Sequence, residues 1–95
     1  MDKEKSEAFY SRLRVQLVES TPWPSVYLYK FIVPTAVDKI NRIHKIFDNT
    51  GAVIESKKSK TGKYTSLSIT VGLEGPDAVI RIYKEVGTIK GVISL

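Results

Sequence analysis

The chain contains no cysteine, a single histidine and no long apolar run. Without cysteine it can form no disulfide, no thiolate metal site and no cysteine nucleophile. Its longest apolar stretch, residues 26–33, is interrupted by Lys30 and falls far short of the roughly 18 residues that a membrane helix requires. The first residues are charged and lead into no apolar signal segment, so we expect a cytoplasmic protein with no membrane partner.

The remaining composition is that of a folded protein. Its 95 residues leave room for one hydrophobic core, and 42% hydrophobic with 26% charged residues is an ordinary globular balance. We therefore predict a single domain over residues 1–95. Within it, residues 1–22 hold an N-terminal helix and a proline-containing connection, and residues 23–95 hold the main body of the fold.

The net charge of +5 is concentrated in the second part of the chain. Residues 1–56 hold eight Lys and Arg against seven Asp and Glu, whereas residues 57–95 hold seven against three. A basic cluster binds phosphates by releasing their counterions, and it also protects a hairpin tip or a strand edge from other chains. We favour the second interpretation and keep nucleic-acid binding as the alternative. The cluster consists of Lys57, Lys58, Lys60 and Lys63.

Hydrophobic periodicity predicts the order helix, then β-α-β-β-α-β. Thr35, followed three residues later by Asp38, resembles a capping box at the start of the second helix. Two βαβ halves joined by a hairpin indicate the α+β class, with a ferredoxin-like split βαβ (βαββαβ), a four-stranded antiparallel sheet and an additional N-terminal helix. The helices are predicted at residues 4–19, at about 35–49 and at 75–87, and the strands at 25–33, 52–58, 63–73 and 89–95.

Alternation along the strands predicts which side chains face the helices. In the first strand Tyr27, Tyr29, Phe31 and Val33 point to the helices, which leaves Leu28, Lys30 and Ile32 on the opposite face. In the strand at 63–73 the buried side is predicted to consist of Leu67, Ile69, Val71 and Leu73, and the other side of Tyr64, Ser66, Ser68 and Thr70. Leaving two large aliphatic side chains in water forgoes about 1.5–3 kcal/mol each, so we expect something to cover them. We expect the N-terminal helix to do so through its apolar stripe, and a homodimer or a partner protein is the alternative. The stripe consists of Phe9, Tyr10, Leu13 and Leu17.

The sequence offers little catalytic chemistry. His44 lies at the flank of an apolar helix stripe, and no serine stands in a recognisable nucleophile turn near it, so we predict no catalytic residue. One histidine without cysteine also leaves no metal-ligand pattern, and we predict no metal and no cofactor. Tyr64 is able to stack a base, but the alternation that follows it gives Ser66 and Ser68 rather than further aromatic rings.

Several segments within residues 23–95 together resemble one family. They are Trp23-Pro24, residues 29–32, residues 59–71, residues 82–86 and residues 91–95. The pattern resembles the YbeD-like family of small bacterial proteins, which is similar in fold to the small regulatory domains of the ACT kind. This resemblance implies a ferredoxin-like fold and a bacterial cytoplasmic setting, and it implies no reaction. The N-terminal helix departs from the shorter members.

The residues and the resemblance together predict a non-catalytic regulatory or protein-interaction module. Its partner is a protein or a small molecule, as sensed by ACT-like domains, and Leu28, Lys30 and Ile32 are the candidate interaction surface. The alternative is a nucleic-acid-binding protein that uses the basic hairpin of residues 57–63 together with Tyr64.

Overall fold

A computed structural model describes residues 3–95 of the chain. It contains three helices and a four-stranded antiparallel sheet, which confirms the α+β class and the predicted order of elements. The elements are α1 (Lys3–Ser20), β1 (Ser25–Pro34), α2 (Val37–Ile46), β2 (Val53–Lys58), β3 (Tyr64–Leu73), α3 (Pro76–Gly87) and β4 (Ile93–Ser94).

The sheet has the strand order β2-β3-β1-β4. Its central pair, β1 with β3, is hydrogen-bonded over all ten residues of each strand, from Ser25 opposite Leu73 to Pro34 opposite Tyr64. By contrast, β4 contributes only two paired residues and is much shorter than the predicted strand at 89–95. The residues before it form turns, because the amide of Ile89 and that of Val92 each bond to the carbonyl three residues earlier.

The alternation along the two central strands is confirmed. The side chains of Tyr29, Phe31 and Val33 on β1 are fully buried, and Leu67 and Ile69 on β3 are equally so. These side chains meet the apolar stripes of the two helices that follow the strands in the chain. The core residues supplied by the helices and by the turn after α2 are Leu17, Ile43, Phe47, Val79, Ile82 and Val86.

The predicted capping box at α2 is wrong. The residue that precedes the helix is Ala36, which makes no side-chain cap. The hydroxyl of Thr35 instead shares a hydrogen bond of 2.8 Å with the hydroxyl of Thr65 on the neighbouring strand. The helix also ends before residue 49, because the amides of Phe47 and Asp48 bond to carbonyls three residues back and tighten the chain into turns.

The N-terminal helix packs against α3 and leaves the opposite face of the sheet uncovered, so the predicted position of this helix is wrong. Its last turn is held where the Trp23 indole donates a hydrogen bond of 3.0 Å to the carbonyl of Leu17, whose side chain is buried. An ion pair of 2.8 Å joins Arg14 to Asp77 on α3. The apolar stripe therefore finds its partner beside α3, although Phe9 stays 46% exposed.

A cluster of tyrosines lies between β1 and α3. The hydroxyl of Tyr29 donates a hydrogen bond of 3.0 Å to the carbonyl of Val79, and the hydroxyls of Tyr27 and Tyr83 share one of 2.9 Å. Burial, reinforced by the neighbouring tyrosines, raises the pKa of Tyr29 and that of Tyr83 well above their ordinary value of 10.0. The folded protein thus holds both phenols in their neutral form.

This cluster predicts a loss of stability at alkaline pH. Since the pKa of Tyr29 is raised by folding, its contribution is fully present below about pH 10 and is lost as the pH rises further, by about 1.4 kcal/mol per pH unit. Tyr29→Phe should therefore flatten the fall of the unfolding free energy above pH 10, as measured by urea denaturation. Tyr64→Phe, which removes the hydroxyl of a half-exposed tyrosine, is the matched control for the loss of a phenol. Equal slopes in all three proteins would contradict the assignment.

Gly91, two residues before β4, lies close to the ring of Pro34. Gly91 has a φ of 87°, and a Cβ at this position would lie 2.8 Å from the Pro34 Cγ. Gly62 has a similar φ of 77° but no neighbour within 4 Å of such a Cβ. Both Gly→Ala variants should lose about 1 kcal/mol from the left-handed backbone, and Gly91→Ala should lose more because of the contact. Thermal unfolding compares them, and equal losses would contradict the proposed role of Pro34.

Candidate interaction surface

The open face is the side of the sheet opposite to the helices. Its rows follow from the strand register, which places Leu28 on β1 opposite Thr70 on β3, and Thr70 opposite Val53 on β2. Ile32 lies between Ser66 on one side and Ile93 of β4 on the other. The open face consists of Val26, Leu28, Lys30, Ile32, Val53, Glu55, Lys57, Ser66, Ser68, Thr70 and Ile93.

Aliphatic side chains stand exposed on three of its four strands. Leu28 is 51% exposed and Ile93 is 53% exposed, while Val26 and Val53 are more exposed still. Single exposed apolar residues are ordinary, but several on one flat sheet face are typical of a surface that another molecule covers. Within residues 3–95, no element packs over this group.

A hollow of about 370 Å³ lies where the open face meets the β2–β3 hairpin. The Ser66 hydroxyl donates a hydrogen bond of 3.3 Å to the carbonyl of Lys57 on the floor of this region. The hairpin is closed by the amide of Ser59, which bonds to the carbonyl of Tyr64 at 2.8 Å. The lining thus combines an aliphatic side chain, a phenol, two hydroxyls and two ammonium groups. It is formed by Ile32, Lys57, Lys58, Ser59, Tyr64 and Ser66.

The structure brings together at this hollow four of the eight residues singled out from the sequence. Ile32 from the predicted interaction surface and Lys57, Lys58 and Tyr64 from the basic group line the same hollow. The other two hairpin lysines are exposed but lie in the turn beyond it, where the Gly62 amide bonds to the Ser59 carbonyl at 3.0 Å. These two residues are Lys60 and Lys63.

The electrostatic character of this region is positive. Lys30 and Lys57 lie on the open face with Glu55, its one acidic residue. The ion pairs found in residues 3–95 join α1 to α3 and involve none of the lysines of the hairpin or the open face. An anionic group would therefore meet ammonium groups that have no carboxylate partner among the described side chains of residues 6–95.

Three exposed aliphatic residues of the open face were missed by the sequence reasoning. Val26 has the same strand parity as Leu28, so the alternation already contained the signal for it. Val53 and Ile93 belong to the face only through the registers of β2 and β4, and no local pattern in the sequence indicates those registers.

Other sequence features lie away from this surface. His44 is exposed on α2, which is on the opposite side of the sheet. In the described part of the chain, no three histidine or acidic side chains gather closely enough to hold a metal ion. No helix among residues 3–95 has the length and apolar character needed to cross a membrane.

The exposure of the basic hairpin predicts that its lysines contribute little to folding. Replacing all four by Gln should change the unfolding free energy by no more than about 0.5 kcal/mol per site. Solubility should fall, because the net charge drops from +5 to +1. Denaturant titration and precipitation assays measure the two effects, and a loss of several kcal/mol would show that these lysines hold the fold together. The variant carries Lys57→Gln, Lys58→Gln, Lys60→Gln and Lys63→Gln.

Comparison with known proteins gives one finding that covers most of the chain. A family model described as "Protein of unknown function (DUF493)" matches residues 19–95. The match begins in the last turn of α1 and takes in all four strands, so it contains the whole open face and the hollow. No curated protein and no solved structure matches the chain.

Proposed function

The chain belongs to the family described as Protein of unknown function (DUF493), and for this member we propose a non-catalytic regulatory or protein-interaction module that binds its partner on the open face. The observation that carries the proposal is the exposure of Leu28, Val53 and Ile93 on three different strands of one sheet face. If a partner covers these side chains, each Å² of apolar surface removed from water stabilises the complex by about 25 cal/mol.

The partner that fits this face best is a protein with aliphatic side chains and carboxylates. Its apolar groups would lie over Leu28 and Ile93, and a carboxylate would enter the hollow beside Lys57 and Tyr64. A small acidic ligand in the same hollow is consistent with a sensing role of the ACT kind. A homodimer through this face is less favourable, because both copies would bring the positively charged Lys30 and Lys57 into the same interface.

The finer assignments of fold and setting belong to the same proposal. The strand order β2-β3-β1-β4, with antiparallel neighbours throughout, supports a ferredoxin-like arrangement. The match over residues 19–95 coincides closely with the segments that resemble the YbeD-like family. A cytoplasmic setting follows from that resemblance and from the lack of cysteine.

Nucleic-acid binding through the basic hairpin is the second candidate. The observation that favours it is the group of lysines around Tyr64, none of which takes part in an ion pair with a described side chain of residues 6–95. A phosphate backbone, however, offers nothing to bury Leu28 or Val53, and a single tyrosine gives only one stacking platform. We therefore prefer the protein partner.

Capture experiments test these alternatives with three variants: an open-face variant, a control variant on α2 and the four-lysine variant described above. The immobilised protein is exposed to bacterial extract, with and without nuclease, and bound material is identified by mass spectrometry. The open-face variant Leu28→Ser/Ile93→Ser should lose its partner, whereas Val37→Ser, at a 76% exposed valine on α2, should retain it. Circular dichroism shows whether each variant is folded.

The outcomes separate the two functions. Retention of the partner by the open-face variant would contradict the proposal. Binding that is abolished by nuclease, falls steeply with salt and disappears in the four-lysine variant would instead establish the nucleic-acid function.

A further inference from the structure

The two edges of β1 are used unequally. On one side β1 pairs with β3 along its whole length, but on the other side β4 pairs only with Phe31 and Ile32. Residues 25–29 of β1 therefore have a strand neighbour on one side only within residues 3–95. At about 3.4 Å per residue this unpaired edge is about 17 Å long.

Two hydrogen bonds show which backbone groups point out of this edge. The amide of Thr35 donates to the Lys63 carbonyl at 2.9 Å on the β3 side, and the Lys30 carbonyl accepts from the Leu95 amide at 2.9 Å on the β4 side. Since the bonding direction alternates along a strand, Val26 and Leu28 direct their N–H and C=O groups to the β4 side. Residues 3–95 supply no hydrogen-bond partner for these four groups.

The composition of this edge differs from that of the opposite one. The outer strand β2 carries Glu55, Lys57 and Lys58, and charged side chains at an edge discourage pairing with other chains. Residues 25–29 read Ser-Val-Tyr-Leu-Tyr, with no charge and no proline. The sheet is thus protected against strand addition at β2 and receptive to it at β1.

We propose that residues 25–29 of β1 are a strand-addition site. An extended segment of another protein pairs with this part of β1 on the same side as β4 and in line with it. The segment bonds to the backbone of Val26 and Leu28, and its alternate side chains lie beside theirs on the open face, where aliphatic residues fit. Because the chain carries a net charge of +5, it attracts a segment with acidic flanks more strongly than a second copy of itself, and we assign the site to such a segment. This site consists of backbone groups and goes beyond the side-chain surface proposed above.

Amide hydrogen exchange followed by NMR tests the site directly. In the dilute protein, the Val26 and Leu28 amides should exchange at least tenfold faster than those of Tyr27 and Tyr29, which bond to β3. The extension Thr-Val-Thr-Val-Glu is then appended directly after Leu95. If it continues the register of β4, its five residues lie opposite residues 29 to 25 of β1. It should slow exchange at Val26 and Leu28 by at least tenfold.

The matched control is the extension Thr-Pro-Thr-Pro-Glu, in which proline replaces the two residues that would donate to the Leu28 and Val26 carbonyls. It should give no protection. Added in trans, the peptide Glu-Thr-Val-Thr-Val-Thr-Glu should protect the same two amides better than its lysine-flanked counterpart.

Four outcomes would overturn the proposal. They are slow exchange at Val26 and Leu28 in the dilute unextended protein, no change on extension, equal protection by the proline extension, and protection that appears merely on raising the protein concentration. The last would show that a second copy occupies the edge. Each readout is a backbone rate and is independent of whether the open face captures a partner.

Discussion

The pairing of β1 with β3 is the constraint on which the rest of the structure depends. Ten residues of each strand are bonded in one register, so every side chain of the two strands is assigned to one of two faces. Tyr29 and Leu67 go to the core, whereas Leu28 and Lys30 go to the open face. A slip of one residue would exchange the two sets and bury lysine in place of tyrosine, which makes any other register costly.

The same pairing explains why two groups of residues distant in sequence form one surface. Ile32 on β1 lies opposite Ser66 on β3, and Ser66 lies opposite Lys57 on β2. The aliphatic part of the open face therefore runs into the basic hairpin without interruption. A partner that buries the first also meets the charge of the second, and this continuity is why we favour a partner with both aliphatic and carboxylate groups.

The position of α1 determines which face of the sheet stays uncovered. The ion pair from Arg14 to Asp77 attaches it to α3, and its residue Leu17 is buried. Apart from its last two residues, α1 lies outside the region that the family match covers. The helix thus enlarges the helical layer and leaves the open face to the solvent. Together with the shortness of β4, this leaves the open face without a covering element and residues 25–29 of β1 without a second strand neighbour within residues 3–95, while the β2 edge carries charged side chains.

Local periodicity by itself determined the order of elements, the inward set of β1 and β3, and the place of Leu28, Lys30 and Ile32 on the opposite face. These features repeat every two or 3.6 residues and are therefore written in neighbouring positions of the chain. Only the tertiary structure decided that α1 packs on α3, that β4 pairs with β1 at only two residues, and that Val53 and Ile93 join the open face. Those outcomes depend on contacts between residues far apart in sequence. Steric fit and strand register decide which elements pack together, and no pattern among neighbouring residues indicates the result.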